Sequence, residues 1–187
     1  MTDLQLLLKA LEFASYRHRS QYRKGTAKIP YINHPIQVAA LLANEGGETD
    51  IKLLSAAVLH DVIEDTVDSV EEKNKLMSEI SALFGEEILA LTMEVTDDKT
   101  LEKRVRKQLQ IDQANHKSVS ARKLKIADKI SNLREIIVDP PDWWPIERIV
   151  EYLLWAEKVV EGLKGVNPEL EKLFYETLAE AKKKYSV

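Results

Sequence analysis

The chain has 187 residues, 27 Lys plus Arg against 31 Asp plus Glu for a net charge of −4, 44% apolar and 31% charged residues, and no cysteine. At roughly 100–200 residues per domain this suits one globular unit with a core of its own and excludes a disordered chain. Disulfides, thiolate metal sites and cysteine nucleophiles are excluded, no apolar run approaches the ~18 residues that span a bilayer, and the acids inside the apolar N-terminal run leave no readable secretion signal.

Leu4, Leu7, Leu8, Leu11 and Ala14 recur at helical spacing and predict a first helix. Residues 27–32 alone read as extended. Pro35 sits where the first turn of a helix needs no N–H; that second helix carries Ile36, Ala39, Ala40 and Ala43 and stops at Gly46-Gly47. Thr49 or Asp50 can cap a third, with Ile51, Leu54, Ala57 and Val58 on its apolar face, running into His60-Asp61. Residues 68–95 read as two helices broken at Gly85, with Met77 and the acidic stretch 71–79 as a surface insertion within residues 67–80. A polar turn at 96–99 leads to a strongly basic helix from Leu101 to about Ala114. Ser118 or Ser120 opens the next, whose apolar face is Leu124, Ala127, Ile130, Leu133 and Ile137, and Pro140-Pro141 ends it. Two further helices flank Gly165 and Asn167. With no linker and no repeat, one all-α domain of about nine to ten helices over residues 1–187 is expected.

The net charge hides its distribution. Residues 13–44 hold no acid but Arg17, Arg19, Arg23, Lys24 and Lys28, and residues 99–125 hold nine bases against two acids, so these segments carry +5 and +7 and the remainder −16. Either they are solvated helix faces or they meet in one cationic pocket suited to a small polyanion. An acidic remainder argues against long nucleic acid.

Four histidines are present. His34 lies in TyrIleAsnHisPro; His60 and Asp61 open HisAspValIleGluAspThr, in which helical spacing pairs His60 with Glu64 and Asp61 with Asp65. Asp128 shares a polar stripe with Lys125, Asn132 and Glu135. Taken singly, His34 or His60 also reads as a core histidine or a cap. A site assembled from His34, His60, Asp61 and Asp128 offers two imidazole nitrogens and two carboxylates, a set that suits Mn²⁺, Fe²⁺ or Zn²⁺. His18 reads as a surface or pocket-rim residue and His116 as solvated, so one ion per chain is expected. Trp143, Trp144 and Trp155 could stack a base but read as core.

The segments TyrIleAsnHisPro (31–35), LeuHisAspValIleGluAspThr (59–66), GluValThrAspAspLys (94–99) and LysIleAlaAspLysIleSerAsnLeuArg (125–134) resemble, in order and spacing, the hydrolase domain of the RelA/SpoT alarmone enzymes, members of the HD superfamily. The likeness is greatest to the free-standing small alarmone hydrolases. It implies an all-α, Mn²⁺-dependent enzyme that removes the 3′-pyrophosphate of (p)ppGpp, with His34, His60, Asp61 and Asp128 as metal ligands and Glu64 and Asp65 as the catalytic carboxylates. It further implies Arg23, Lys24, Lys99, Asn132, Arg148 and Tyr152 as substrate contacts, with Tyr31 on the pocket wall. The 67–80 insertion is longer than the resemblance leads one to expect. The alternatives are another phosphohydrolase activity on the same scaffold, such as an NADPH 2′-phosphatase, and a non-catalytic alarmone-binding module. A cytosolic location and an enzyme without a synthetase segment are expected, and monomer and homodimer both stay open.

Overall fold

A computed structural model describes residues 1–187 as ten α-helices and no strand: α1 (Asp3–Arg17), α2 (Asn33–Ala40), α3 (Ile51–Leu59), α4 (Val62–Asp65), α5 (Val70–Phe84), α6 (Glu86–Val95), α7 (Lys103–Asp112), α8 (Val119–Val138), α9 (Ile146–Leu163) and α10 (Pro168–Tyr185). A π-helical turn, Leu41–Glu45, extends α2, and a 3₁₀ turn, Ala114–His116, follows α7. The 35 buried apolar residues form one continuous cluster.

The central element is α8. It packs on α2, α9 and α10 through the predicted face of Leu124, Ala127, Ile130 and Leu133. Its opposite side carries Lys125, Asp128, Lys129 and Asn132, so one helix both closes the core and floors a cavity. Ser118 caps its N-terminus through the Ala121 N–H.

The helices follow the predicted order, with local differences that have physical causes. On α1 the small residues Ala10 and Ala14 are buried against α3 while Leu4 and Leu8 stay exposed, because a close helix approach admits only small side chains there. On α2 the core face is His34, Val38, Leu41 and Leu42 at helical spacing, not Ile36, and a π-turn closed by Gly46 N–H to Leu41 O at 2.9 Å follows it. The 71–79 stretch lies within α5, which starts at the Ser69 cap and buries Leu76, Ile80 and Phe84, while most of the 71–79 side chains are exposed as expected of a surface segment.

Residues 27–32 form no strand; one antiparallel bridge, Tyr22 to Pro30, closes a loop between α1 and α2. Asp139, just past the end of α8, anchors its tip: the carboxylate accepts from Thr26 N–H at 3.0 Å, Thr26 Oγ1 at 2.8 Å and Ala27 N–H at 3.0 Å. A Cβ on Gly25 would lie 2.0 Å from Asp139 Oδ2, so only glycine lets the backbone come this close. The anchor presents Arg23 and Lys24 to the face of α8.

Candidate active site

The fold brings His34, His60, Asp61 and Asp128 to one point. His34 is in the first turn of α2. Its Nδ1 lies 3.0 Å from Ser131 Oγ, whose proton goes to Gln37 Oε1 at 3.2 Å, so Nδ1 carries the hydrogen and the Nε2 lone pair turns inward. His60 Nδ1–H donates to Ala57 O at 2.7 Å, which leaves its buried Nε2 inward with no aligned partner. Asp61 Oδ2 lies 3.0 Å from His60 Nε2 and 3.5 Å from His34 Nε2, and Asp128 Oδ1 lies 3.2 Å from His34 Nε2. The donor atoms of His34, His60 and Asp128 all fall within 4.8 Å of one another. Two nitrogens with outer partners that set their tautomers, two carboxylates and one orphaned lone pair fit a divalent cation.

Helix α3 does not run through this motif. It ends at Leu59; His60 and Asp61 form a turn, and α4 restarts at Val62. The side-chain bond from His60 to Ala57 O sits at this break. In consequence His60 faces the ligand set, whereas Glu64 turns to the 96–99 segment and accepts the Asp97 N–H at 2.9 Å.

Burial opposes charge on His60, but the Asp61 and Asp128 carboxylates override it and push the imidazole up to about 9. Burial pushes His34 down. Burial alone would raise Asp61, yet His60 and His34 hold it well below the usual carboxylate range, and Lys129 and His34 do the same for Asp128. Without an ion, a proton on His60 supplies the positive charge that these carboxylates require.

The two adjacent carboxylates have different surroundings. Burial pushes Glu64 up to about 7, against the Asp97 N–H that favours its charge. The single O–H of Tyr31 is shared between Asp61 Oδ2 at 2.8 Å and Asp65 Oδ2 at 3.0 Å, and Asp65 also pairs with Lys99. Tyr31 thus ties a ligand to a catalytic candidate.

All thirteen residues singled out from the sequence line a single cavity of about 560 Å³. Arg23 donates to Asn132 Oδ1 at 2.8 Å and pairs with Glu135. Arg148 stacks on Trp144, and Tyr152 lies between Trp144 and Trp155 with ring centroids at 5.9 and 5.4 Å. Burial raises the Tyr152 phenol to about 12, so it stays a neutral donor.

The cavity also holds residues not anticipated. Trp144 and Trp155 line it as well as packing on the core, whereas Trp143 is exposed. From α7 come Lys103, Arg106, Lys107 and Gln110, and from α8 the buried Lys125 and Lys129. The α7 spacing of i, i+3, i+4, i+7 was readable as a face, but only packing shows that a basic face turns inward. The acid-poor segments do meet here, through Arg23 and Lys24 from one and Lys99, Lys103, Arg106, Lys107 and Lys125 from the other. Others of their bases do structural work elsewhere: Arg17 pairs with Glu79, Lys123 with Glu48, and Arg122 caps carbonyls at the end of α9. His18 is not at the surface; it is 1% exposed, stacked on Tyr31 at 4.8 Å and held by Gln21.

A helical scaffold that presents a His, His-Asp and Asp set at the floor of one cavity defines the HD class, and the chain belongs to the HD domain family, whose pattern it matches over residues 10–142. Within that family it is similar to the guanosine-3′,5′-bis(diphosphate) 3′-pyrophosphohydrolases MESH1 of Xenopus tropicalis, 46% identical over 170 residues and 91% of both chains, and of Homo sapiens, 47% identical over 165 residues and 88% of both. A solved structure described as a metazoan ortholog of SpoT that hydrolyzes ppGpp and plays a role in starvation responses superposes with a TM-score of 0.87 at 42% identity over 94% of each chain.

Proposed function

We propose that this protein is a metal-dependent guanosine-3′,5′-bis(diphosphate) 3′-pyrophosphohydrolase that converts (p)ppGpp to GDP or GTP and inorganic pyrophosphate. The observation that carries this reading is the convergence of His34, His60, Asp61 and Asp128 beside Glu64 in a cavity walled by cations. The likeness to MESH1 proteins over nearly the whole chain supports it. Mn²⁺ is the proposed ion, with Fe²⁺ or Zn²⁺ as the other occupants suited to two nitrogens and two oxygens. Held by these four residues, it supplies Lewis-acid polarisation of phosphate oxygens and acidifies water.

The chain's own groups account for the rest. Water adds to phosphorus as the bond to the 3′ oxygen breaks, so a proton must leave the water and one must reach the nucleotide's 3′ oxygen. Glu64, pushed up to about 7, is poised to take and return a proton near neutral pH. Asp65, fixed by Tyr31 and Lys99, orients the reacting groups. Arg23, Lys24 and Lys99 offset charge on the phosphoryl oxygens. Trp144 and Tyr152 offer faces for a purine, with Asn132 holding Arg23 in place.

Catalytic efficiency on (p)ppGpp and on NADPH, compared at equal enzyme and Mn²⁺, tests the assignment. Pyrophosphate release from the alarmone should dominate; higher efficiency for phosphate release from NADPH would overturn the substrate. Full Mn²⁺-dependent turnover by a folded Asp61→Ala variant would overturn the site.

A further inference from the structure

The cations at the reacting end of the cavity differ in what holds them. Arg23 is committed to Glu135, Lys99 to Asp65, and Lys129 to Asp128 at 2.8 Å. Lys125 is not: it is 6% exposed, it lines the cavity, and its nearest carboxylate oxygen, on Asp97, is 4.0 Å away. Arg106 has only Glu64 at 3.9 Å, and its buried Nε has no partner. Lys103 and Lys107 stand on the same face of α7 with no carboxylate within ion-pair distance. A helix that packs on a core ordinarily turns apolar residues inward at this spacing. Helix α7 buries none and turns this basic stripe to the cavity instead. A buried ammonium without a close counter-charge is costly, and a multiply charged anion between Lys125 and Arg106 would remove the penalty.

We propose that the inward face of α7, together with Lys125 of α8 in the same cavity, is an anion subsite distinct from the metal ligands, built to hold a diphosphate group. The inference rests on the phosphohydrolase reading for the origin of that group, which is either the diphosphate that leaves or the 5′-diphosphate of the nucleotide. Its position favours the reacting end: Arg106 faces Glu64, and Lys125 faces Asp97, whose N–H holds Glu64. Arg106 offers a fork of N–H donors and Lys125 a point charge, a pairing that matches the oxygens of a diphosphate.

Calorimetric titration of EDTA-dialysed protein with sodium pyrophosphate, and separately with GDP, tests this without turnover. Lys125→Met and Arg106→Gln should each weaken pyrophosphate binding by about tenfold or more, the size of a lost charge-assisted contact. Lys172→Gln, on the exposed face of α10, should leave it unchanged. Weakening for pyrophosphate alone assigns the subsite to the leaving group, and equal weakening for GDP assigns it to the 5′ arm. An affinity in either folded variant equal to that of the wild type, or no pyrophosphate binding by the wild type, would overturn the subsite. If Lys125→Met does not fold, Arg106→Gln and Lys103→Gln on the accessible α7 decide in its place. A wild type that hydrolyses (p)ppGpp while these affinities do not change loses only the subsite. One that binds pyrophosphate as stated but does not hydrolyse the alarmone loses only the activity.

Discussion

Glu64 and Asp65 are adjacent, yet the chain prepares them for different work. Glu64 is buried near the Asp61 and Asp97 carboxylates, which disfavour its charge more than the Asp97 N–H favours it; Asp65 is gripped by a phenol and an ammonium. If Glu64 must be deprotonated to act, kcat/KM rises with pH through about 7. Glu64→Gln should lower kcat by roughly 10²–10⁴-fold and abolish that limb, which a pH–rate profile of both proteins measures. The same shift has a stability consequence of definite sign. A folded-state value above the unfolded one favours folding while the group is protonated, so this contribution is full below about 4.5 and is lost as pH rises through about 7. Glu64→Gln should therefore melt above the wild type at pH 8 and match it more closely at pH 4.5, in paired thermal scans.

The loop between α1 and α2 and the cap of α10 carry the next scale. Arg23 and Lys24 lie in a loop whose backbone is anchored by the Asp139 carboxylate seated against Gly25–Ala27. Gly25→Ala places a methyl on that carboxylate and must displace the loop. Groups that bind ground state and transition state alike lose affinity without losing turnover, so KM for the nucleotide should rise about tenfold with kcat nearly unchanged. A kcat that falls as much as kcat/KM would show that the loop acts in the chemical step instead. At the far side, Asn167 caps α10 through the Leu170 N–H at 3.1 Å and donates to Gly46 O and Glu48 Oε1, each at 2.8 Å. Asn167→Ala loses the cap and this link to the π-turn of α2. It should cost about 1–2 kcal/mol in denaturant unfolding, with the metal affinity unchanged because the ligand set is untouched.

For the molecule as a whole, ion binding, protonation and folding are linked. In the ion-free protein His60 is raised to about 9, so its contribution to stability is present below about 6.5 and is lost as pH rises through about 9. An ion must displace that proton. Mn²⁺ binding should release about one proton per chain at pH 7, seen as a heat that depends on buffer ionisation enthalpy, and affinity should fall as the pH is lowered. Saturation at 100 times Kd should add about 2.7 kcal/mol and raise Tm by roughly 5–10 °C. A Tm unmoved by Mn²⁺ at pH 8 would exclude a resident divalent ion at these residues.

Much of this is legible in the amino-acid sequence. Helical periodicity, caps and proline breaks locate the helices because they are local consequences of backbone geometry, and three contiguous motifs mark His34, His60, Asp61, Glu64, Asp65 and Asp128. Local pattern could not reveal that α3 stops short of the His60-Asp61 turn or that His18 lies behind Tyr31. Nor could it reveal that α7 turns Lys103, Arg106 and Lys107 to the cavity that buried Lys125 also lines. Charge is additive along a sequence but acts through space. The sequence by itself determined the helices, the ligand types and the presence of two basic segments. Only the tertiary structure decided which bases neutralise carboxylates and which stand uncommitted around the site, because that depends on distances between residues remote in the chain.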